Sequence, residues 1–458
     1  MSDTSPARSL SSLGCFLATF FCLCGCQANR ASATRAAPAP VAAAPAPPVR
    51  IPRVEVPTEV MTGLDVLESG GFVVLKGKRI GLLTHPAGAD RRGESAIDVL
   101  RRAPGVRLVA LFGTEHGIYD NLPASKPYDD QIDPRTGLKI CSLYNGHVNG
   151  HRPSRAQLQG MDALVIDLQD VGVRPYTFAG AMKQAMEGCF ENNVEVIVLD
   201  RPNPLGGLKV DGPPIDPQCL SPAALVNEFP VPYVHGMTIG ELATFAKETP
   251  GVLRVSEAVR RRGRLTVVQM SGWRRSMRWP ETGLPWIKTS EYIPDFSAVV
   301  GYPMTGLIAY VGHFSSGVGD QYPFRGIYNP LVKSEIVKRE LDALHIPGLQ
   351  FRWVSVTNPH TGKPANGLYV EVTDWDEWRP TELNFQLMRL ACRLEPKNPF
   401  LFISKGESEV FLRCMGSTAF YRDMTAHGSR VNVEAYLNQW HADAAAFQER
   451  TRRFWMYR

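Results

Sequence analysis

The chain has 458 residues, 44% of them hydrophobic and 21% charged, as in an ordinary globular protein with a real core. That length predicts two domains. A formal charge of +5 without long Lys or Arg blocks argues against a nucleic-acid partner, and the densest basic cluster, Arg260, Arg261, Arg262 and Arg264 with Arg274, Arg275 and Arg278 nearby, reads as a solvated face.

Residues 1–26 read as a targeting segment. Arg8 supplies a positive start, and Leu13 to Leu23 is an apolar run too short to span a bilayer. Leu23-Cys24-Gly25-Cys26 then resembles a bacterial lipoprotein signal, with cleavage before Cys26 and lipid on Cys26. Gln27 is not the Asp of the inner-membrane retention signal, so the expected location is the periplasmic side of the outer membrane, lipid-anchored. Residues 27–57 are rich in Ala and Pro and read as a disordered tether. The five cysteines beyond the signal, Cys141, Cys189, Cys219, Cys392 and Cys414, are scattered and lack C-x-x-C spacing, which argues against a disulfide framework and a zinc site.

The folded part begins near Val60 with a short helix over Gly63–Ser69. Arg79–Leu83 is a buried strand leading to His85, Glu94–Arg102 has helical spacing, and Leu108–Phe112 is a second buried strand. This is a βαβ unit and predicts a parallel sheet. The second strand stops at Gly113, and Glu115 and His116 follow, either reactive groups or a polar turn with a capping Glu. Residues 119–137 form a long loop of the kind that often serves function.

Ile140–Tyr144 and Ala163–Leu168 are further strands, the latter leading into Asp167, Gln169, Asp170, Arg174 and Tyr176. Ala179–Asn192 is helical, and the strand Glu195–Leu199 ends at Asp200, Arg201 and Asn203. In a parallel sheet these strand-end clusters share one rim, where open α/β sheets bind ligands. His235 precedes a predicted capping box, Thr238 with Glu241, and Leu265–Met270 is another strand. Residues 286–319 are glycine-rich and aromatic and hold Ser290, Tyr292, His313, Ser315 and Ser316. A helix over Ser334–Ala343, two alternating strands over Phe351–Thr357 and Gly367–Thr373, and a helical tail over Val433–Phe454 complete the chain. The expected architecture is α/β: a Rossmann-like, mostly parallel catalytic domain over residues 58–298, then a smaller α+β auxiliary domain over 299–458.

The motifs narrow the chemistry. No H-E-x-x-H, G-x-S-x-G, G-x-G-x-x-G or Walker A pattern is present. Asp167, Asp170 and Asp200 could hold a hard cation, which keeps a metal-dependent hydrolase as an alternative. Carboxylate acid–base chemistry remains, such as glycoside cleavage with Glu115 as acid. His116, Asp170, Arg174 and Tyr176 could then orient the substrate or supply a second charge.

Taken together, L-F-G-T-E-H-G-I, D-P-R-T-G-L with S-L-Y, D-L-Q-D-V-G-V-R-P-Y-T-F, L-D-R-P-N-P-L-G-G, H-G-M-T-I-G-E-L-A and F-Q-E-R-T-R-R-F resemble the bacterial exo-β-N-acetylmuramidase family, long described as a domain of unknown function. The resemblance runs over residues 60–458. It implies a cleft between the two domains and removal of N-acetylmuramic acid from the non-reducing ends of peptidoglycan fragments; no cofactor and no bound metal are expected. By motif match it implies catalytic Glu115 and His116. It also implies substrate-binding Asp167, Gln169, Asp170, Arg174, Tyr176, Asp200, Arg201, Asn203 and His235. Where many members carry S-E-G-R-G-T, this chain reads Ser315-Ser316-Gly317-Val318-Gly319-Asp320, and the S-P-N-like segment reads Ser290-Glu291-Tyr292. A non-catalytic peptidoglycan- or muropeptide-binding lipoprotein is the other alternative.

Overall fold

The computed structural model describes residues 59–123, 126–146, 151–220 and 225–458. The signal, Cys26 and the tether lie outside these residues. The first unit is a seven-stranded sheet of β1 (Arg79–Thr84), β2 (Arg107–Gly113), β3 (Gln131–Ile132), β4 (Lys139–Ser142), β5 (Ala163–Asp167), β6 (Glu195–Leu199) and β7 (Leu265–Val268). Its order is β3-β4-β2-β1-β5-β6-β7, parallel throughout except where β3 pairs with β4. Without the short β3 this is the doubly wound dinucleotide-fold order, with its switch point between β1 and β5.

Parallel strands covered on both faces need continuous apolar runs, and β5 and β6 supply them as A-L-V-I-D and E-V-I-V-L. The helix Thr177–Glu191 packs on one face and is buried from Phe178 to Phe190. Its polar residues survive there because they are paired: Lys183 Nζ donates to Glu187 Oε1 at 2.8 Å and to Glu228 Oε2 at 2.7 Å.

The second unit is an antiparallel sheet of β8 (Gly326–Ile327), β9 (Leu349–Thr357) and β10 (Pro364–Val372), in the order β8-β10-β9, with helices around it. The helices Phe296–Thr305, Glu382–Leu394, Lys405–Met415 and Thr418–His427 are additional to the elements expected from the sequence, although Leu383, Leu387, Leu390 and Leu394 have helical spacing. The two units share one core: Val171, Val173 and Tyr233 pack with Met304, Phe385 and Met415. Arg174 staples the seam. Its guanidinium donates to the carbonyls of Pro213 (2.9 Å), Val231 (2.7 Å) and Met415 (2.8 Å).

The chain end returns to the first unit. The helix Val433–Thr451 and the turn after it carry Phe447 and Phe454 into the core around Phe245. Tyr457 reaches Asp200, donating its hydroxyl to Oδ2 at 2.6 Å.

The basic cluster is only partly the solvated face expected from sequence. Arg275 is 2% exposed, pairs with Glu241 at 2.6 Å and lies 3.9 Å from the centre of the Trp455 ring. A guanidinium that sinks into the fold in this way must be paired, and the sequence does not display its partner.

Candidate active site

The site is built on the end of β2. Thr114, Glu115, His116 and Gly117 make a tight turn there, closed by Gly117 N–H donating to the Thr114 carbonyl at 3.1 Å. His116 takes the left-handed conformation, φ 69°, which is uncommon for a residue with a side chain. Its Nδ1 lies 3.3 Å from the Leu122 carbonyl. A carbonyl only accepts, so Nδ1 carries the proton and Nε2 is left for other partners.

Gly113 sets how closely the turn is supported. A Cβ there would lie 2.4 Å from the Tyr128 hydroxyl oxygen, and that hydroxyl donates to the Thr114 carbonyl at 3.0 Å. Gly113→Ala is therefore expected to cost about 1–3 kcal/mol through overpacking and to lower activity by shifting the turn. Thermal unfolding checks this. Tyr128→Phe on the same background should recover part of the stability, and no recovery would mean the clash is not the cause.

The turn opens into a cleft of about 2000 Å³ between the two units. From the first unit Glu115, His116, Tyr144, His151, Tyr176 and Phe178 line it, and Glu115 is half-buried. From the second come Tyr302, His313 and Trp353. The segment 286–319 supplies wall as well, through Ser290, Tyr292, Ser315 and Ser316, so both departures from the family pattern fall on the cleft. Beneath it runs an aromatic row: His85 to Phe178 (4.4 Å between centroids), Phe178 to Tyr176 (4.9 Å), Tyr176 to Tyr302 (6.4 Å) and Tyr302 to Phe324 (5.0 Å). Burial raises the Tyr176 phenol well above its ordinary pKa, and the carboxylates of Asp170 and Glu115 add to this. Burial likewise raises Tyr302, again with Glu115 and Asp170 contributing.

Asp170 is held from behind. Its Oδ2 accepts the Gly172 N–H at 2.7 Å and lies 3.3 Å from Nε2 of His235, whose Nδ1 accepts the Met237 N–H at 3.2 Å. Oδ1 is buried and has no hydrogen-bond partner among the described residues; Gln169 Oε1 and His85 Nδ1 are in the same state. His85 Nε2 accepts the Gln169 N–H at 2.8 Å. Burial, then Arg201 and His116, lowers the His85 pKa well below its ordinary value.

Other strand-end residues lie deeper and are consumed by the scaffold. Asp167 takes a two-point ion pair from Arg201, 2.5 Å to Nε and 2.9 Å to Nη2, and Arg201 also donates to the Ala89 carbonyl at 2.6 Å. Asn203 bridges Met237 and Leu205, at 3.0 Å each. Asp200 accepts from Gly240 N–H, Thr238 Oγ1 and Tyr457, each within 2.8 Å, and so anchors the N-terminus of the helix Ile239–Glu248. The capping box expected of Thr238 and Glu241 is formed there. With Asp167 and Asp200 committed to these partners, they do not form a cation cage with Asp170. Arg174 is likewise a seam residue and does not line the cleft.

Burial pushes the Asp200 carboxyl up to about 6 from 3.8, with Glu241 adding to the rise against the three donors. Its folded pKa lies above the unfolded one, so its proton-linked contribution is full below about pH 4 and is lost as pH rises to about 6. The stability advantage of the wild type over Asp200→Asn should shrink by about 3 kcal/mol across that window. Denaturation of both proteins between pH 4 and pH 7 tests this. Parallel profiles would mean Asp200 does not titrate there.

A doubly wound sheet that presents a half-buried carboxylate to a deep cleft, with a second unit as the far wall, is the architecture of a two-domain α/β enzyme. Residues 80–297 match the family described as exo-beta-N-acetylmuramidase NamZ, N-terminal, and residues 300–457 match its C-terminal counterpart. The peptidoglycan beta-N-acetylmuramidase NamZ of Bacillus subtilis (strain 168) is 34% identical over 402 residues, which span 87% of this chain and 92% of that protein. A crystal structure of a DUF1343 family protein from Bacteroides fragilis NCTC 9343 superposes with a TM-score of 0.77 at 33% identity, covering 88% of this chain and 100% of the other. A second from the same organism, at 24% identity and a TM-score of 0.66 over 88% and 99% of the two chains, shares the fold. The chain belongs to the exo-β-N-acetylmuramidase family, and its enzymatic class is glycosidase.

Sequence reasoning brought Glu115, His116 and Tyr176 correctly to the cleft and missed Tyr144, His151, Tyr302 and Trp353. His151 carried no strand-end signal, since it lies nine residues beyond the end of β4. It is pinned like His116, with Nδ1 2.8 Å from the Leu143 carbonyl.

Proposed function

We propose that this protein removes N-acetylmuramic acid from the non-reducing ends of peptidoglycan fragments, with Glu115 as general acid. The observation that carries the reading is the half-buried Glu115 at the end of β2, facing a cleft also lined by Tyr176 and Tyr302, with the buried Asp170 carboxylate held by Gly172 and His235. Cleaving a glycosidic bond requires a proton on the departing oxygen and negative charge near an oxocarbenium-like carbon. Glu115 supplies the proton. Asp170, held by Gly172 and His235, supplies the charge, and Tyr176 and Tyr302 frame the sugar. The relative from Bacillus subtilis is a peptidoglycan beta-N-acetylmuramidase by name, which supports the same substrate.

The test is hydrolysis of a 4-nitrophenyl β-glycoside of N-acetylmuramic acid beside its N-acetylglucosamine analogue. Release from the first and not the second is expected. Folded protein that releases from neither sinks the reading. The anchoring proposal rests on the sequence Leu23 to Cys26 and has its own test. Cells fed labelled palmitate should label the wild type, and a Cys26→Ser variant that still carries label would overturn it.

A further inference from the structure

The cleft is larger than one sugar needs. Pockets that enclose a drug-sized ligand run to roughly 300–1,000 Å³, against about 2000 Å³ here. Most of the lining beyond Glu115 and His116 comes from the second unit, and that wall has a definite construction. Side chains alternate along β9, so Phe351, Trp353 and Ser355 share a face, opposite Val370, Leu368 and Asn366 of β10. At one end that face is core: Phe351, Val370 and Leu368 are buried. At the other it is cleft wall: Trp353, Ser355 and Asn366 line the opening, and Trp353 is 51% exposed. Tyr328, Leu331 and Phe402, also exposed, line the same arm. Large apolar side chains gathered in a concave wall mark a surface that is covered in use.

The arm also has a fixed polar edge. His313 keeps 55% of its side chain exposed, yet Nδ1 sits 2.9 Å from Oε2 of the buried Glu395. Oε1 of the same carboxylate accepts the His313 N–H at 2.8 Å and Asn329 Nδ2 at 3.2 Å. The imidazole is thus set in place with its Nε2 edge left for a ligand, the pre-organisation that lowers the ordering cost of binding. Charges around the arm are of both signs, Lys333 and Lys397 against Glu335 and Glu407, so the arm is no trap for a polyanion or a polycation. Aromatic faces beside a fixed hydrogen-bonding edge suit pyranose rings, whose C–H faces are apolar and whose rims carry hydroxyls.

We propose that this arm binds the leaving-group side of an oligosaccharide substrate, with Trp353 as the stacking platform and His313 as the hydrogen-bonding edge. The inference rests on the glycosidase reading and names the glycan beyond the sugar that is released. The readout is the ratio of kcat/KM on a muro-oligosaccharide of several sugars to kcat/KM on the 4-nitrophenyl glycoside, which has no sugar on that side. Trp353→Ala should lower this ratio by roughly tenfold, Trp353→Tyr should restore most of it, and His313→Ala should lower it mainly through KM. Equal losses on both substrates, or no change in the ratio, would overturn the proposal. A wild type that cleaves neither substrate is assayed by calorimetric titration with the oligosaccharide alone. Binding weakened by Trp353→Ala would then keep the arm while the proposed reaction falls, and binding indifferent to Trp353 would remove the arm as well.

Discussion

Glu115→Gln is expected to lower kcat on a peptidoglycan fragment by roughly 10²–10⁴-fold, the span a positioned general acid contributes. Glutamine keeps the shape of the side chain and removes its transferable proton. The turn that carries it, Thr114 to Gly117, is closed by backbone and Tyr128 contacts that the change does not touch, so the fold should be preserved. The loss should depend on the leaving group. A sugar alkoxide needs the proton as it departs, whereas 4-nitrophenolate leaves with little help. The variant should therefore retain a larger share of wild-type rate on the aryl glycoside than on the natural glycan. A wild-type rate on the glycan would end the acid assignment, and equal losses on both substrates would point to a structural role for Glu115. Calorimetric titration of the variant with a muro-oligosaccharide should still show binding.

Arg201→Met should be the most destabilising single change near the site. It leaves the Asp167 carboxylate buried without its two-point partner and the Ala89 carbonyl without its donor. Removing one member of a buried ion pair typically costs about 3–5 kcal/mol, because the remaining charge is stranded. The shift in guanidinium midpoint relative to wild type measures it. Combining it with Asp167→Leu should recover most of the loss, since replacing both charges removes the stranded group. A double variant no better than the single would show that the Ala89 contact, not the stranded charge, dominates.

The frame of the first unit was legible because buried parallel strands leave apolar runs that polar residues interrupt only at their ends. β6 matches its sequence expectation residue for residue, and β5 and the helix Thr177–Glu191 lie within two residues of theirs. Glu115 was legible for the same reason, as the first carboxylate beyond such a run. What the runs do not tell is which way a strand-end polar group faces. Asp167, Asp200, Arg201 and Asn203 occupy the rim in sequence, yet in space they bond to one another and to neighbouring turns. Asp170 and Arg174 are four residues apart; one is held by Gly172 and His235 and the other staples the seam. The far wall was illegible because Tyr302, His313 and Trp353 come to share a cleft with Glu115 only through packing between distant segments. Trp353 in particular sits on a strand whose alternation is the same at its core end and its cleft end.

The return of the chain end has a kinetic consequence. Tyr457 completes the hydrogen bonding of Asp200, 257 residues earlier, and Phe447 and Phe454 fill the core beside Phe245. During synthesis, then, the first sheet should gain its full packing only once Phe447 to Tyr457 have emerged, and closing so long a loop carries an entropic cost. A nascent chain truncated just before the last turn should stay more open to proteolysis although all ten described strands are already present.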